Sequence, residues 1–282
     1  MIKIRRLLGL ALVSVIAVSA FVGCSSKKEE EKGSEKKVVK IGVTGDGTVE
    51  PKSPWAYVQK QLLEKENIEI KFVGFGDYNR PNLALAEGEI DLNAFQHVAF
   101  LETFKKDHNL DIVPIGNTNL APMGIYSKTL KDPKEIKEGG KVIVPNDKSN
   151  EGRALLILEE AGLIELKENV GYYPTLKDIV ENKKNLKFVE VAATQIPRSI
   201  EDGDLSVINS GVASQAGLDP QKDPIFLEDV KSEKAKPYIN VIAARGEDKD
   251  NETYKKIVEY YNTDEVKKLT IEYNKGGVVP AW

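Results

Sequence analysis

The sequence predicts an α/β fold in which mainly parallel sheets carry helices on their faces, and three observations lead to that expectation. Short apolar stretches with twofold alternation recur between residues 38 and 244, and most are followed by a stretch whose apolar residues fall at helical spacing. Strand and helix in alternation call for crossovers rather than hairpins, which is how parallel sheets are built. At 282 residues, 41% hydrophobic and 30% charged, the chain suits one large domain or two modest ones.

Val38–Thr44 reads as the first strand, turned by Gly45-Asp46-Gly47. Gly42, Gly45 and Gly47 are spaced in the reverse of a dinucleotide fingerprint, and Asp46 would repel a pyrophosphate, so a nucleotide site is rejected. Ser53-Pro54 offers a cap and a first-turn proline to a helix running to about residue 66, with Trp55, Val58, Leu62 and Leu63 on its apolar face. Residues 68–75 alternate as a second strand, so the chain opens β-α-β. A polar turn, Asp77 to Asn82, leads to a short helix from Leu83 to Glu87 closed by Gly88.

Asp91–Glu102 is a strand that becomes a helix. Leu92 and Ala94 alternate with Asn93 and Phe95, and then Val98, Leu101 and Phe104 take up helical spacing. Phe95, Gln96 and His97 stand at the junction, outside the carboxyl end of a strand, where open α/β sheets keep their ligands. Strands are expected at 111–115 and at 120–126, the second bent or at a sheet edge because Pro122 and Gly124 lie inside it. Further strands fall at 141–145, 186–191, 205–208 and 237–244. Helices are expected at 149–161 with Gly162 as the stop, at 175–181, at 194–201 with Pro197 disturbing it, at 252–261 and at 264–273. No internal repeat is visible.

The N-terminus reads differently. Lys3, Arg5 and Arg6 precede an apolar run from Leu7 to Val22 that is too short to span a bilayer comfortably, the pattern of a secretory signal over residues 1–23. The alternative is a single-pass helix with an accidental cysteine. Cys24 is the only cysteine, which excludes an intramolecular disulfide and a cysteine-based metal cluster. Residues 25–37 hold no apolar side chain before Val38, so 24–37 is expected to be a solvated tether. Loss of the three basic residues would take the formal charge from -4 to -7, a balance that favours neither nucleic acid nor an anionic membrane surface.

Arg153 follows the strand 141–145 through a polar loop into a helix, so its guanidinium is expected near free backbone N–H groups, a combination suited to a carboxylate. A solvated surface arginine is the competing reading. Phe95, His97 and Tyr78 form a candidate low-polarity slot of rings; ordinary core is the alternative for Phe95. A zinc site at His97 is disfavoured, because the only other histidine, His108, lies at the far end of the same helical pattern. Asn209 and Asn240 each interrupt an apolar strand, and serve either backbone groups or a ligand needing both donor and acceptor. No G-x-S-x-G elbow, cysteine nucleophile beyond Cys24 or H-E-x-x-H motif is present, which argues against a surface enzyme.

The run Asn93-Ala94-Phe95-Gln96-His97 resembles that of the NlpA/MetQ lipoproteins, methionine-binding components of ABC importers. Pro145-Asn146-Asp147, Gly152-Arg153-Ala154, Gln195-Ile196-Pro197-Arg198-Ser199, Ala216-Gly217-Leu218 and the terminal Gly276-Gly277 to Trp282 agree with it in order, and Phe21-Val22-Gly23-Cys24 is similar to a lipobox. The resemblance implies a two-lobed, periplasmic-binding-protein-like fold with crossings near 120–126 and 236–241, one lobe from 38–120 plus 238–282 and the other from 121–237. It implies that Arg153 pairs with the ligand carboxylate, that Asn209 and Asn240 bind its amino and carboxylate groups, and that Tyr78, Phe95 and His97 line the methionine side chain. It further implies a lipid on Cys24, attachment to the extracytoplasmic face of the cell membrane, and an ABC permease and ATPase as partners of a monomeric protein with no cofactor or metal. Ser210-Gly211-Val212-Ala213 departs from the family's commoner residues and implies a more open slot, and Ala99-Phe100 replaces a frequent pair and bears on which ligand is bound; another amino acid, a methionine-containing dipeptide and an adhesin-like role are the alternatives.

Overall fold

The computed structural model describes residues 36–282; Cys24, the apolar run before it and most of the tether lie outside the described residues. In chain order the elements are β1 (Lys37–Thr44), α1 (Pro54–Glu66), β2 (Ile68–Phe75), α2 (Arg80–Ala86), β3 (Leu92–His97), α3 (Val98–His108), β4 (Ile112–Asn117), β5 (Asn119–Leu120) and β6 (Met123–Tyr126). They continue with β7 (Lys141–Pro145), α4 (Lys148–Glu160), β8 (Glu165–Leu166), β9 (Ile179–Glu181), β10 (Lys187–Val191), β11 (Leu205–Asn209), α5 (Ser210–Gln215) and β12 (Phe226–Leu227). The chain ends with β13 (Asn240–Arg245), α6 (Glu252–Tyr261), α7 (Asp264–Tyr273) and β14 (Val279–Pro280).

Two five-stranded sheets result, ordered β2-β1-β3-β13-β4 and β10-β7-β11-β6-β12. In the first, β1, β2 and β3 are parallel and β13 runs against both its neighbours; in the second, β10, β7 and β11 are parallel and β6 runs against β11 and β12. Each sheet is therefore mainly parallel with one reversed strand. Both faces of each sheet are covered. Val39, Ile41, Val58, Leu62 and Ile257 fill one face of the first and Leu85, Ile90, Leu101 and Ile112 the other. Val142, Val144, Leu155 and Leu158 pack one side of the second, Tyr126, Ile143, Ile196 and Ile208 its opposite side. Each such side chain contributes about 1.5–3 kcal/mol by leaving water.

Local chemistry sets the ends of elements. Ser53 Oγ accepts the amide of Ala56 at 3.2 Å and Pro54 takes the first turn of α1; Asn67 at φ 54° and Asn109 at φ 53° close α1 and α3 in the left-handed conformation. Gly74 in β2 has a packing reason: a Cβ there would collide with the backbone of Asp46, because the 45–47 turn lies flat on β2.

Several expectations need correction. Residues 175–181 are a short 3-10 turn, Leu176–Asp178, followed by strand β9, and 193–199 form a 3-10 segment around Pro197 rather than an α-helix. A further 3-10 turn, Glu233–Tyr238, occupies the start of the expected last strand and delays β13 to Asn240. The stretch 120–126 is bent at Ala121-Pro122, but β6 beyond the bend is no edge: it is wholly buried between β11 and β12. Proline at the bend costs no ladder bond there, because the strand begins after it. Among the described residues, no helix is long and apolar enough to cross a membrane.

Candidate ligand cleft

The carboxyl ends of β3 and β11 and the first turns of α4 face one cleft of about 570 Å³. Tyr78, Phe95, His97, Phe100 and Asn240 line it from the first sheet and its connections and Asn119 from β5; Asn150, Arg153, Asn209 and Ser210 line it from the second sheet and its helices. All six side chains singled out in the sequence therefore reach the same space.

Arg153 lies in the second turn of α4, and its side chain is only 4% exposed. Instead of resting on free backbone amides, its guanidinium is held by protein oxygens. Nε donates to Glu228 Oε1 at 3.0 Å, and Nη2 donates to Glu228 Oε2 and, at 2.8 Å, to the Ala121 carbonyl. The plane also stacks over the Tyr238 ring, 4.3 Å from its centroid. A buried guanidinium needs such a counter-charge, since leaving it unpaired would be strongly unfavourable. Nη1 alone makes no hydrogen bond within the described residues.

His97 caps α3: its Nδ1 accepts the Phe100 amide at 3.1 Å. The proton must then sit on Nε2, which faces Asn150 Oδ1 at 3.2 Å. Burial, helped by the Arg153 charge, pushes the His97 pKa down to about 3, so the ring is neutral. Asn150 Oδ1 also accepts Asn209 Nδ2 at 2.7 Å, while Asn150 Nδ2 donates to Asp147. Burial raises the pKa of Asp147 against the hydrogen bonds from Asn150 and Ser149 that lower it. Asn209 Oδ1 is buried and has no partner among the described residues, an orphan acceptor on a residue that lines the cleft. Asn240 Nδ2 donates to Asn119 Oδ1 at 3.1 Å, so the Asn240 amide is tied to the neighbouring crossing segment.

The rings expected to form a slot lie together, and Phe100 and Tyr238 join them. Tyr78, Phe95 and Phe100 lie 5.8 to 6.1 Å apart in tilted and edge-on pairs, and His97 meets Tyr238 edge-on at 5.2 Å. Burial raises the Tyr78 phenol well above its usual range, so it stays protonated. Beneath the slot, Asn82, Asn93 and Gln96 form a closed amide network: Asn82 and Gln96 exchange bonds of 2.8 and 2.6 Å, and Asn93 bonds to both at 2.9 Å. These three buried amides fix β3 where it presents Phe95 and His97.

Glu228, Asn150, Tyr238 and Asn119 were not found by sequence reasoning. Asn150 stood inside the polar loop before Arg153, but nothing local marks Glu228, whose partner is 75 residues away.

The model of the NlpA lipoprotein family matches residues 39–282. The D-methionine-binding lipoprotein MetQ of Escherichia coli K12 is 43% identical over 275 residues, 96% of this chain and 97% of that protein. Among solved structures, protein PG110 from Staphylococcus aureus superposes with a TM-score of 0.81 at 48% identity, covering 86% of this chain and 94% of that one. A nutrient binding protein from Burkholderia cenocepacia bound to methionine gives 0.79 at 41%, covering 86% and 100%. A cleft built from ringed and amide-bearing side chains of two α/β lobes, and sequence agreement along nearly the whole of the described chain, have one common explanation: this chain belongs to the NlpA lipoprotein family.

Proposed function

We propose that this protein is the substrate-binding component of an ABC importer and captures an amino acid, methionine, between two lobes comprising residues 38–120 plus 238–282 and 121–237. The observation that carries the reading is the pairing, in one cleft, of an unengaged donor and an orphan acceptor beside a wall of rings. Arg153 Nη1 suits the ligand carboxylate, Asn209 Oδ1 its ammonium, and Asn240 either group. Tyr78, Phe95 and His97, with Phe100, suit the thioether tail through sulfur–ring contacts of about 0.3–1.5 kcal/mol each. The role is binding rather than catalysis.

The relatives named for methionine binding, and the structure of one with methionine bound, support this ligand. The matching relatives are named lipoproteins, which supports a lipid on Cys24 holding the protein at the extracytoplasmic face of the membrane, where a permease with its ATPase would receive the ligand. The cleft extends to Trp55, Tyr261 and Tyr273. That extension favours a second reading, a methionine-containing dipeptide. Calorimetric titration of the purified protein with L-methionine, D-methionine and methionine-containing dipeptides tests both; absence of heat with all of them would overturn the ligand assignment.

A further inference from the structure

Glu228 does not line the cleft, yet it determines what Arg153 presents there. Its carboxylate takes the Nε and Nη2 edge of the guanidinium and also accepts the Met123 amide at 2.9 Å, with its side chain 9% exposed. Ala121 takes the remaining Nη2 hydrogen, so the cleft meets one nitrogen of a cation whose charge is already matched from behind. We propose that Glu228 is a specificity-determining positioning residue that makes the cleft select net-neutral zwitterions over anions, by cancelling the Arg153 charge before any ligand arrives. The inference rests on the amino-acid reading given above.

The physical reason is the cost of net charge in a buried place. A lone arginine in a cleft favours any ligand that brings an unbalanced negative charge, because that charge removes the desolvation penalty of the guanidinium. With Glu228 in place the pair is neutral, and an extra anion would face the Glu228 carboxylate through the guanidinium. A zwitterion adds no net charge: its carboxylate takes Nη1 and its ammonium finds Asn209 Oδ1, which has no other partner. Discrimination of this kind comes from a repulsive element built against the wrong ligand. The neutral state of His97 is consistent with it, since no second cation offsets Glu228.

The test compares the full-length wild-type protein in detergent with Glu228→Gln and Glu228→Asp, titrating each with amino acids and their N-acetyl derivatives, for methionine, leucine, glutamine and phenylalanine. The N-acetyl compounds keep the carboxylate and lose the ammonium charge. Wild type and Glu228→Asp are expected to prefer the zwitterion, and Glu228→Gln to shift the ratio toward the anion by at least about tenfold, the effect of one misplaced charge. An equal loss for both members of a pair in Glu228→Gln would reduce Glu228 to a structural prop and overturn the proposal. If Glu228→Gln does not fold, wild type and Glu228→Asp decide: equal binding of a zwitterion and its acetylated anion by either overturns the idea, and a strong preference for the zwitterion in both supports it. Silence toward methionine with binding of another amino acid would sink the methionine assignment while leaving the charge selection standing.

Discussion

His97, capping a helix on the first sheet, meets Asn150, in the first turn of a helix on the second, with Nε2 3.2 Å from Oδ1. The same oxygen accepts Asn209, so one amide ties together three side chains that come from three elements. Replacing Asn150 with Ala should therefore leave His97 and Asn209 without their shared acceptor. We expect a loss of ligand affinity of tenfold or more and a stability cost of about 1–3 kcal/mol, the usual cost of a buried unpaired polar group. Calorimetry and urea unfolding check the two effects separately.

Acidification should weaken the fold through His97. Its pKa in the fold, about 3, lies below the ordinary histidine value, so the unfolded chain binds the proton first. The stability from keeping the ring neutral is whole above about pH 6.5 and is lost as pH falls toward 3, with a slope of up to about 1.4 kcal/mol per pH unit. Asp147 works the other way: its raised pKa favours the fold at low pH and loses that contribution as pH rises through its own range. His97→Asn retains a cap acceptor and removes the titration. Urea unfolding between pH 7 and 5 should show wild type losing stability faster than the variant; parallel curves would contradict this.

Arg153→Ala should abolish ligand binding and also destabilise the protein by about 3–5 kcal/mol, because Glu228 would remain buried without its partner. Arg153→Met combined with Glu228→Leu should recover most of that stability and none of the binding. Methionine binding by the double variant would remove Arg153 from the site.

The mouth of the cleft carries weaker ties between the two sheets' elements. Gln215 Nε2 donates to the Thr44 carbonyl at 3.1 Å, Lys275 Nζ lies 3.4 Å from Asp219 Oδ2, and Gln221 Nε2 donates to the Gly277 carbonyl at 3.3 Å. Exposed contacts of this kind contribute about 0–1 kcal/mol each. Gln215→Ala with Lys275→Ala should raise the ligand dissociation rate several-fold in stopped-flow measurements, more at low salt than at high, with the unfolding midpoint unchanged.

The amide network under the ring slot should prove costly to disturb. Asn82→Leu strands polar atoms of both Asn93 and Gln96, which are buried. We expect a loss of about 2–4 kcal/mol from one or two such groups, read from the shift in urea midpoint.

The parts of this structure that sequence could foretell are those fixed by neighbours a few residues apart. Ser53-Pro54 caps α1 as its chemistry requires, and Asp91–Glu102 becomes strand and helix with His97 at the joint. The 3-10 segments around Pro197 and before Asn240 escaped notice because apolar periodicity over six or seven residues does not separate them from helix or strand. Arg153 was found but its surroundings were not. The helix start suggested backbone amides, whereas the carboxylate that holds it comes from Glu228, the first of two adjacent acids in an otherwise unremarkable stretch, brought near only when the second sheet closes. Long-range pairing of that kind leaves no local trace.

The central place of β13 between β3 and β4 has a consequence for how the molecule is made. A polypeptide delivered from its amino terminus has β1 to β4 early, yet it lacks the strand that joins β3 to β4 until residue 245 has emerged, and α6 and Trp282 against the same core come later still. The first half must therefore wait, unfinished and with an open gap in its sheet, for the second half to be complete; nascent chains halted anywhere before that point should stay sensitive to protease, and pairing across so long a separation should make refolding slow.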